Sequence, residues 1–201
     1  MPRTPFPDGY FDKHITRNPV SRALLRGHYA VLRRFLRLAE ARRVLEIGCG
    51  RGAIIERMLD GGMKELRFTG CDLDMNALCL ARSRLPEAVF VNGSVYGMPF
   101  CSGAFDTVIL CEMLEHLEEP ERAMEQSARL APKNIILSVP REPLWRALNM
   151  LRGAYWGAGG NTPGHIQHFS TAGFLRFVSR WFRVREVRTP VPWTMVLAEP
   201  K

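Results

Sequence analysis

Three glycines at alternate positions, set directly behind a run of apolar residues, restrict this chain more than any other stretch. In Arg43-Val44-Leu45-Glu46-Ile47-Gly48-Cys49-Gly50-Arg51-Gly52, Val44, Leu45 and Ile47 predict a short buried strand. Gly48, Gly50 and Gly52 then predict a turn sharp enough for the backbone to approach a ligand with no Cβ in the way. A helix is predicted from about Ala53 to Leu59, and the N–H groups of its first turn point at whatever fills the glycine turn. The spacing is G-x-G-x-G, whereas a dinucleotide fingerprint places its third glycine three positions after the second. Glu46, two residues before Gly48, would repel a pyrophosphate and attract a ligand carrying an ammonium or sulfonium group. Taken alone, the glycines also fit a tight turn in another kind of α/β protein.

The following segments repeat the strand–helix alternation. Residues 66–71 predict a second strand with Asp72 at its end, twenty residues beyond Gly52, room enough for one helix and one strand of a parallel crossover. A carboxylate at that point can accept hydrogen bonds from two vicinal ribose hydroxyls. Asp74 reads as the cap of a helix from Met75 to Arg84. Val89 to Asn92 is a third strand, Cys111 closes a fourth, a helix opened by Pro120 runs to about Ala131, and Asn134 to Val139 is a fifth strand.

With these motifs in this order, the sequence resembles the class I S-adenosylmethionine-dependent methyltransferases of the type 11 kind, whose first motif is such an acidic, glycine-rich turn. The resemblance runs from Val44 to Val139, about half of the chain. It implies an α/β, three-layer Rossmann-like fold with a seven-stranded mixed sheet in the order 3-2-1-4-5-7-6, and S-adenosyl-L-methionine as cofactor. It assigns Glu46, Gly48, Cys49, Gly50 and Gly52 to the aminocarboxypropyl end and Asp72 to the ribose. Leu73 would cover one adenine face, and the backbone of Val95 would supply an adenine contact. The family usually has an aspartate at the position of Ser94; a serine hydroxyl there implies a weaker bond to the adenine amine. Cys111 and Glu112 would face the methionine half, since ligands of parallel sheets lie beyond the carboxyl ends of the strands. His116, four residues after Glu112, is a packed residue of a short helix in one reading and a substrate-side group in the other.

The stretch from 140 to 170 exceeds a minimal unit of this kind and reads as a substrate-side lid insertion. Leu144 to Leu151 predicts a short amphipathic helix, and the glycine-rich run around Tyr155 and Trp156 predicts a lid or pocket wall. His165 and His168 either fix this loop or act on the substrate, with His165 the preferred group. Together with His116 they form the candidate catalytic set. No metal is expected, because neither a cysteine nor a third histidine stands near His165 and His168 in the sequence. Tyr10 and His14 are candidates to close the site from the N-terminal side. Two final strands, from Phe182 and from Trp193, are separated by too short a link for a helical crossover and predict an antiparallel hairpin.

Length and composition set outer bounds. A chain of 201 residues fits one domain, 1–201, able to form a core without staples. Its five cysteines include no C-x-x-C pair, which argues against structural zinc and a disulfide framework. The absence of a long apolar run and of a signal-like start predicts a cytoplasmic protein. Of the net charge of +8, residues 1–43 carry ten Lys/Arg against three Asp/Glu, a balance of +7. Residues 1–40 therefore read as a basic N-terminal cap region with an amphipathic helix from about Val20 to Ala39. Its arginine face suits water, an anionic membrane surface or an anionic substrate. The expected acceptor is a small organic or amphiphilic molecule. Nucleic acid is the weaker alternative, since Cys111-Glu112-Met113-Leu114 stands where many amino-directed enzymes carry N/D-P-P-Y/F. A cofactor-binding subunit without chemistry is a further alternative.

Overall fold

The computed structural model describes residues 18–201, so the expectations for Tyr10 and His14 lie outside the described residues. The chain runs α1 (Pro19–Leu38), β1 (Arg43–Ile47), α2 (Ala53–Asp60), β2 (Arg67–Asp72), α3 (Met75–Arg84), β3 (Val89–Asn92) and β4 (Thr107–Cys111). It continues through α4 (Pro120–Arg129), β5 (Asn134–Pro140), α5 (Leu144–Leu151), α6 (Thr171–Val178), β6 (Phe182–Arg188) and β7 (Trp193–Pro200). The seven strands form one sheet in the order β3-β2-β1-β4-β5-β7-β6. The pairs among β1 to β5 are parallel, and β7 runs antiparallel to both β5 and β6. The predicted mixed sheet and terminal hairpin are therefore both present.

Strand alternation separates the core into two layers, because successive side chains leave a strand on opposite faces. Val44, Ile109, Ile136 and Leu197 pack on one face with Leu32, Phe35 and Leu36 of α1 and Ile55 and Met58 of α2. Leu45, Ile47, Val108, Leu110, Leu137 and Val196 pack on the other with Met124 of α4 and Phe174 and Val178 of α6. Every residue of β4 and β5 is buried, as expected for central strands covered on both sides.

The helix ends follow from short polar caps. Asn18 Oδ1 accepts the N–H groups of Val20 and Ser21 at 2.9 and 3.2 Å, Asp74 Oδ1 those of Asn76 and Ala77 at 2.9 and 3.2 Å, and Ser170 Oγ that of Gly173 at 3.1 Å. Helix α1 buries Leu25, His28, Tyr29, Leu32, Phe35 and Leu36, while Arg22, Arg26 and Arg37 face solvent. Arg34 on this helix pairs with Glu186 of β6 at 3.1 Å. The basic helix is thus a packed layer of the fold with a solvated arginine face. No helix among the described residues is long and apolar enough to cross a membrane.

Candidate active site

The carboxyl ends of β1 and β2 hold a turn closed almost entirely by backbone. The N–H groups of Gly48 and Cys49 both donate to the Cys71 carbonyl, at 2.8 and 3.2 Å, and Gly52 N–H donates to Cys49 O at 2.8 Å. Gly48 has φ 75°, and a Cβ there would stand 2.9 Å from Met113 Sδ; Gly52 has φ 76°, and its Cβ would meet Leu85 at 2.8 Å. The left-handed conformation favours glycine at both positions, and a side chain there would also have to displace the ends of Met113 and Leu85. Cys49 packs beneath the turn at 5% exposure, where burial pushes its thiol up. The neighbouring Cys71 thiol is pushed up to about 11, again by burial. Both sulfurs are packing groups at neutral pH.

Asp72 links this turn to the next. Its Oδ2 accepts Gly50 N–H at 2.7 Å and its Oδ1 accepts Asp74 N–H at 2.9 Å. Each carboxylate oxygen has a further lone-pair direction, and the side chain is half-buried, so it retains accepting capacity toward an outside ligand. Leu73, next along, is 68% exposed, with its carbonyl held by Asn92 Nδ2 at 3.0 Å. Ser94 lies in a small turn closed by Gly97 N–H to its carbonyl at 3.1 Å. Its hydroxyl accepts Tyr96 N–H at 3.2 Å, which leaves the hydroxyl proton as its free donor. Val95 is buried beside it.

Glu46 is 3% exposed and lies on the face of β1 that packs against α1 and α2. Burial, reinforced by the Asp72 charge, pushes its carboxyl well up, while the Ile55 N–H opposes the shift. Among the described residues, Glu46 Oε2 has no hydrogen-bond partner. The carboxyl therefore engages the first turn of α2 on one side and keeps one oxygen unused.

On the other side of the sheet's midline, side chains carry the structure. Glu112, one residue past β4, has φ 56°, a conformation rarely adopted by a residue with a side chain. It turns its carboxylate inward. Trp193 Nε1–H donates to Oε2 at 2.6 Å and Ser138 Oγ–H to Oε1 at 3.2 Å. Ser138 Oγ is in turn 3.2 Å from His28 Nε2 of α1. Through these bonds the Glu112 carboxylate ties β4, β5, β7 and α1 together. Cys111, 7% exposed, has its thiol pushed up by burial.

A turn at Leu114–His116 brings His116 to the loop that carries His165. His116 Nδ1 lies 2.8 Å from Gly164 O, the two imidazole centroids are 4.8 Å apart, and Trp145 of α5 stacks on His165 at 5.8 Å. Burial lowers the His116 pKa, against the opposing effect of the Gly164 carbonyl. Glu115 completes the group: one possible ligand atom from each of Glu115, His116 and His165 lies within 4.8 Å of the others. The sequence-based expectation of no metal set weighed His165 with His168, whereas the fold pairs His165 with Glu115 and His116. His168 stands apart from this set beside Glu142, with 3.9 Å between Nδ1 and Oε1.

The glycine-rich stretch is a fastened wall. Arg146 Nε donates to Gly159 O at 2.8 Å, Asn149 Nδ2 to Gly160 O at 2.8 Å, and Trp145 Nε1 to Thr162 Oγ1 at 2.9 Å. Tyr155 and Trp156 point outward, 40% and 63% exposed. The aromatic residues that approach the histidines are Trp145 and, behind it at 6.1 Å, Trp193. Sequence periodicity placed these two in a helix and a strand. Their role at the site appears only when β7 is inserted beside β5.

Comparison with known proteins agrees with this geometry. A family model described as a methyltransferase domain matches residues 45–137. The demethylmenaquinone methyltransferase of Paenarthrobacter aurescens is 28% identical over 111 residues, covering 53% of this chain and 43% of that protein. The ubiquinone biosynthesis O-methyltransferase of Paracidovorax citrulli is 35% identical over 97 residues, covering 45% and 40%. The chain thus spans less than half the length of these curated relatives. Among solved structures, the PH0226 protein of Pyrococcus horikoshii superposes with a TM-score of 0.70 over 96% of this chain and 95% of that one, at 15% identity, a likeness of fold.

Proposed function

Because this chain belongs to the class I S-adenosylmethionine-dependent methyltransferases of the type 11 kind, we propose that it transfers a methyl group from S-adenosylmethionine to a small organic acceptor bearing a hydroxylated ring. The observation that carries the cofactor assignment is Asp72, whose carboxylate closes the glycine turn and still has lone pairs to offer a ribose. The buried carboxyl of Glu46, with one partnerless oxygen among the described residues, suits a cationic ligand end. Leu73 and the Ser94 turn fit the adenine.

When bound, S-adenosylmethionine supplies a sulfonium-activated methyl group for a single displacement. The residues of this chain hold the acceptor in line and exclude water. Trp145 and the buried imidazoles of His116 and His165 form an aromatic wall suited to a ring. His168, with a 39% exposed side chain near Glu142, suits passing an acceptor proton to solvent. The two curated relatives bear quinone-pathway names, which supports an acceptor of ring-hydroxyl character with an apolar portion.

Calorimetric titration with S-adenosylmethionine, S-adenosylhomocysteine and NAD tests the cofactor. Saturation by the first two and not by NAD is expected. A screen of hydroxylated aromatic and amphiphilic acceptors, read by mass spectrometry, then tests the transfer. Folded protein that binds neither cofactor form would overturn the proposal.

A further inference from the structure

We propose that Glu115, His116 and His165 form a divalent-cation site on the acceptor side of the sheet, of the two-imidazole, one-carboxylate class that takes zinc or a similar transition metal. One ligand atom from each residue falls within 4.8 Å of the others. The side chains of Glu115 and His116 are 1% and 5% exposed, and His165 is 7% exposed. The three groups thus converge where water is largely excluded, and there a carboxylate attracts a cation more strongly than it does in water.

The orientation of His116 is informative. A carbonyl oxygen only accepts, so the 2.8 Å approach of Nδ1 to Gly164 O puts the hydrogen on Nδ1. In a neutral imidazole, that leaves a lone pair on Nε2. Nε2 lies 3.9 Å from Glu115 Oε1, beyond hydrogen-bond range. Two electron-rich atoms facing each other at this separation can both bind one cation. Tetrahedral zinc, with bonds of about 2.0–2.1 Å, spaces its ligand atoms by roughly 3.3 Å, so the ligand atoms would draw together on binding from their 3.9 Å separation. The carbonyl behind Nδ1 is the outer partner that metal-bound histidines commonly have.

The surrounding backbone holds these groups together. The Glu115 carbonyl accepts the N–H groups of Ile166 and Gln167 at 2.9 and 3.0 Å, so the loop carrying His165 is bound to the turn carrying Glu115. Asn161 Nδ2 donates to His165 O at 3.1 Å, and Trp145 covers the His165 ring. Residues 116 and 165 are far apart in sequence, and their segments are joined by the Glu115 carbonyl as well as by the His116 side chain. Two nitrogens and one carboxylate favour zinc, manganese or iron over the oxygen-only coordination preferred by calcium.

The site's role rests on the methyl-transfer reading above. Three protein ligands leave a coordination position for an acceptor oxygen, whose pKa falls on binding a cation. The acceptor O–H then loses its proton to His168 or water. The oxygen forms a bond to the methyl carbon as the carbon–sulfur bond breaks, with its electron pair going to sulfur. His116 and His165 act as ligands in this scheme, and His168 remains the proton carrier.

The test uses tag-free full-length protein, stripped with a chelator and titrated with Zn2+ against a chromophoric competitor, with Co2+ absorption as a second readout. Wild type is expected to take up one equivalent. His116→Ala and His165→Ala should abolish that stoichiometric step, and Glu115→Gln, which keeps the backbone carbonyl that secures the loop, should weaken it. Circular dichroism and S-adenosylmethionine titration monitor the fold and the cofactor site separately. Failure of wild type to bind Zn2+ stoichiometrically, or equal uptake by wild type and Glu115→Gln, would overturn the site. Undiminished hydroxyl methylation by stripped wild type would overturn its catalytic role. Absence of S-adenosylmethionine binding alongside intact zinc binding would instead overturn the methyl-transfer reading.

Discussion

Around the ends of β1 and β2, each bond joins near neighbours. Gly48, Cys49 and Gly50 reach only as far as Cys71 and Asp72 on the adjacent strand. Beyond β4 and β5, the partners come from across the chain: Glu112 with Trp193, Ser138 with His28, and His116 with Gly164. The first region is a backbone device completed by one carboxylate, so many side chains can change around it without altering what it binds. The second is a side-chain device, and its chemistry is set by which residues the fold brings together. A common cofactor site and a particular acceptor site are the outcome expected from that division.

The division is broken most directly at Asp72. Asp72→Ala removes the acceptor for Gly50 and Asp74 together with the proposed ribose partner. Cofactor affinity should fall by about 1.5–3 kcal/mol, on the order of 10- to 100-fold. Calorimetry checks this, and an unchanged dissociation constant would mean that the backbone turn binds without its carboxylate. On the other side, Trp193→Phe removes the indole donor from the buried Glu112 carboxylate. Stability should fall by about 1–3 kcal/mol, measured by urea unfolding, while S-adenosylmethionine affinity changes little. If affinity falls as much as in Asp72→Ala, the two regions are one site energetically.

This contrast also explains what could be read in the sequence. The strands, the helices α3 and α5 and the Asp74 and Ser170 caps follow from periodicity and short-range capping, which act over a few residues. Asp72 was legible because a crossover of fixed length carries it to the glycine turn. The role of Glu112 was not, because its inward turn depends on Trp193 arriving on an antiparallel β7 beside β5. The grouping of Glu115 and His116 with His165 was hidden for the same reason: hydrogen bonds through the Glu115 carbonyl join segments that no sequence period relates. Tyr155 and Trp156, conspicuous in the sequence, face outward, while the less conspicuous Trp145 covers His165.

Glu46 sharpens the comparison through pH. Burial raises its folded-state pKa above the ordinary value of about 4.5, so the neutral carboxyl contributes stability that is fully present below that value. The contribution is lost as pH rises through the raised folded pKa. Glu46→Gln has no such titration. Its melting temperature relative to wild type should therefore rise as pH increases from about 4.5. Calorimetric melts across the acid-to-neutral range check the sign. Parallel curves for the two proteins would show that Glu46 ionises in the folded state as readily as in the unfolded chain.

The smallest expected effect lies at Ser94. Its hydroxyl accepts Tyr96 N–H at 3.2 Å, so a shortened acid there already has a local hydrogen bond to take over. Ser94→Asp can satisfy Tyr96 with one carboxylate oxygen and direct the other to an adenine amine, a stronger acceptor than a hydroxyl. Cofactor affinity should be kept or improved by a few-fold, with S-adenosylhomocysteine affected equally because both ligands carry the same adenine. Affinity lost in a folded variant would mean that Ser94 serves the ligand as a donor through its free hydroxyl proton. The adenine would then be held on its ring-nitrogen edge, a change of polarity at one residue within an otherwise backbone-built site.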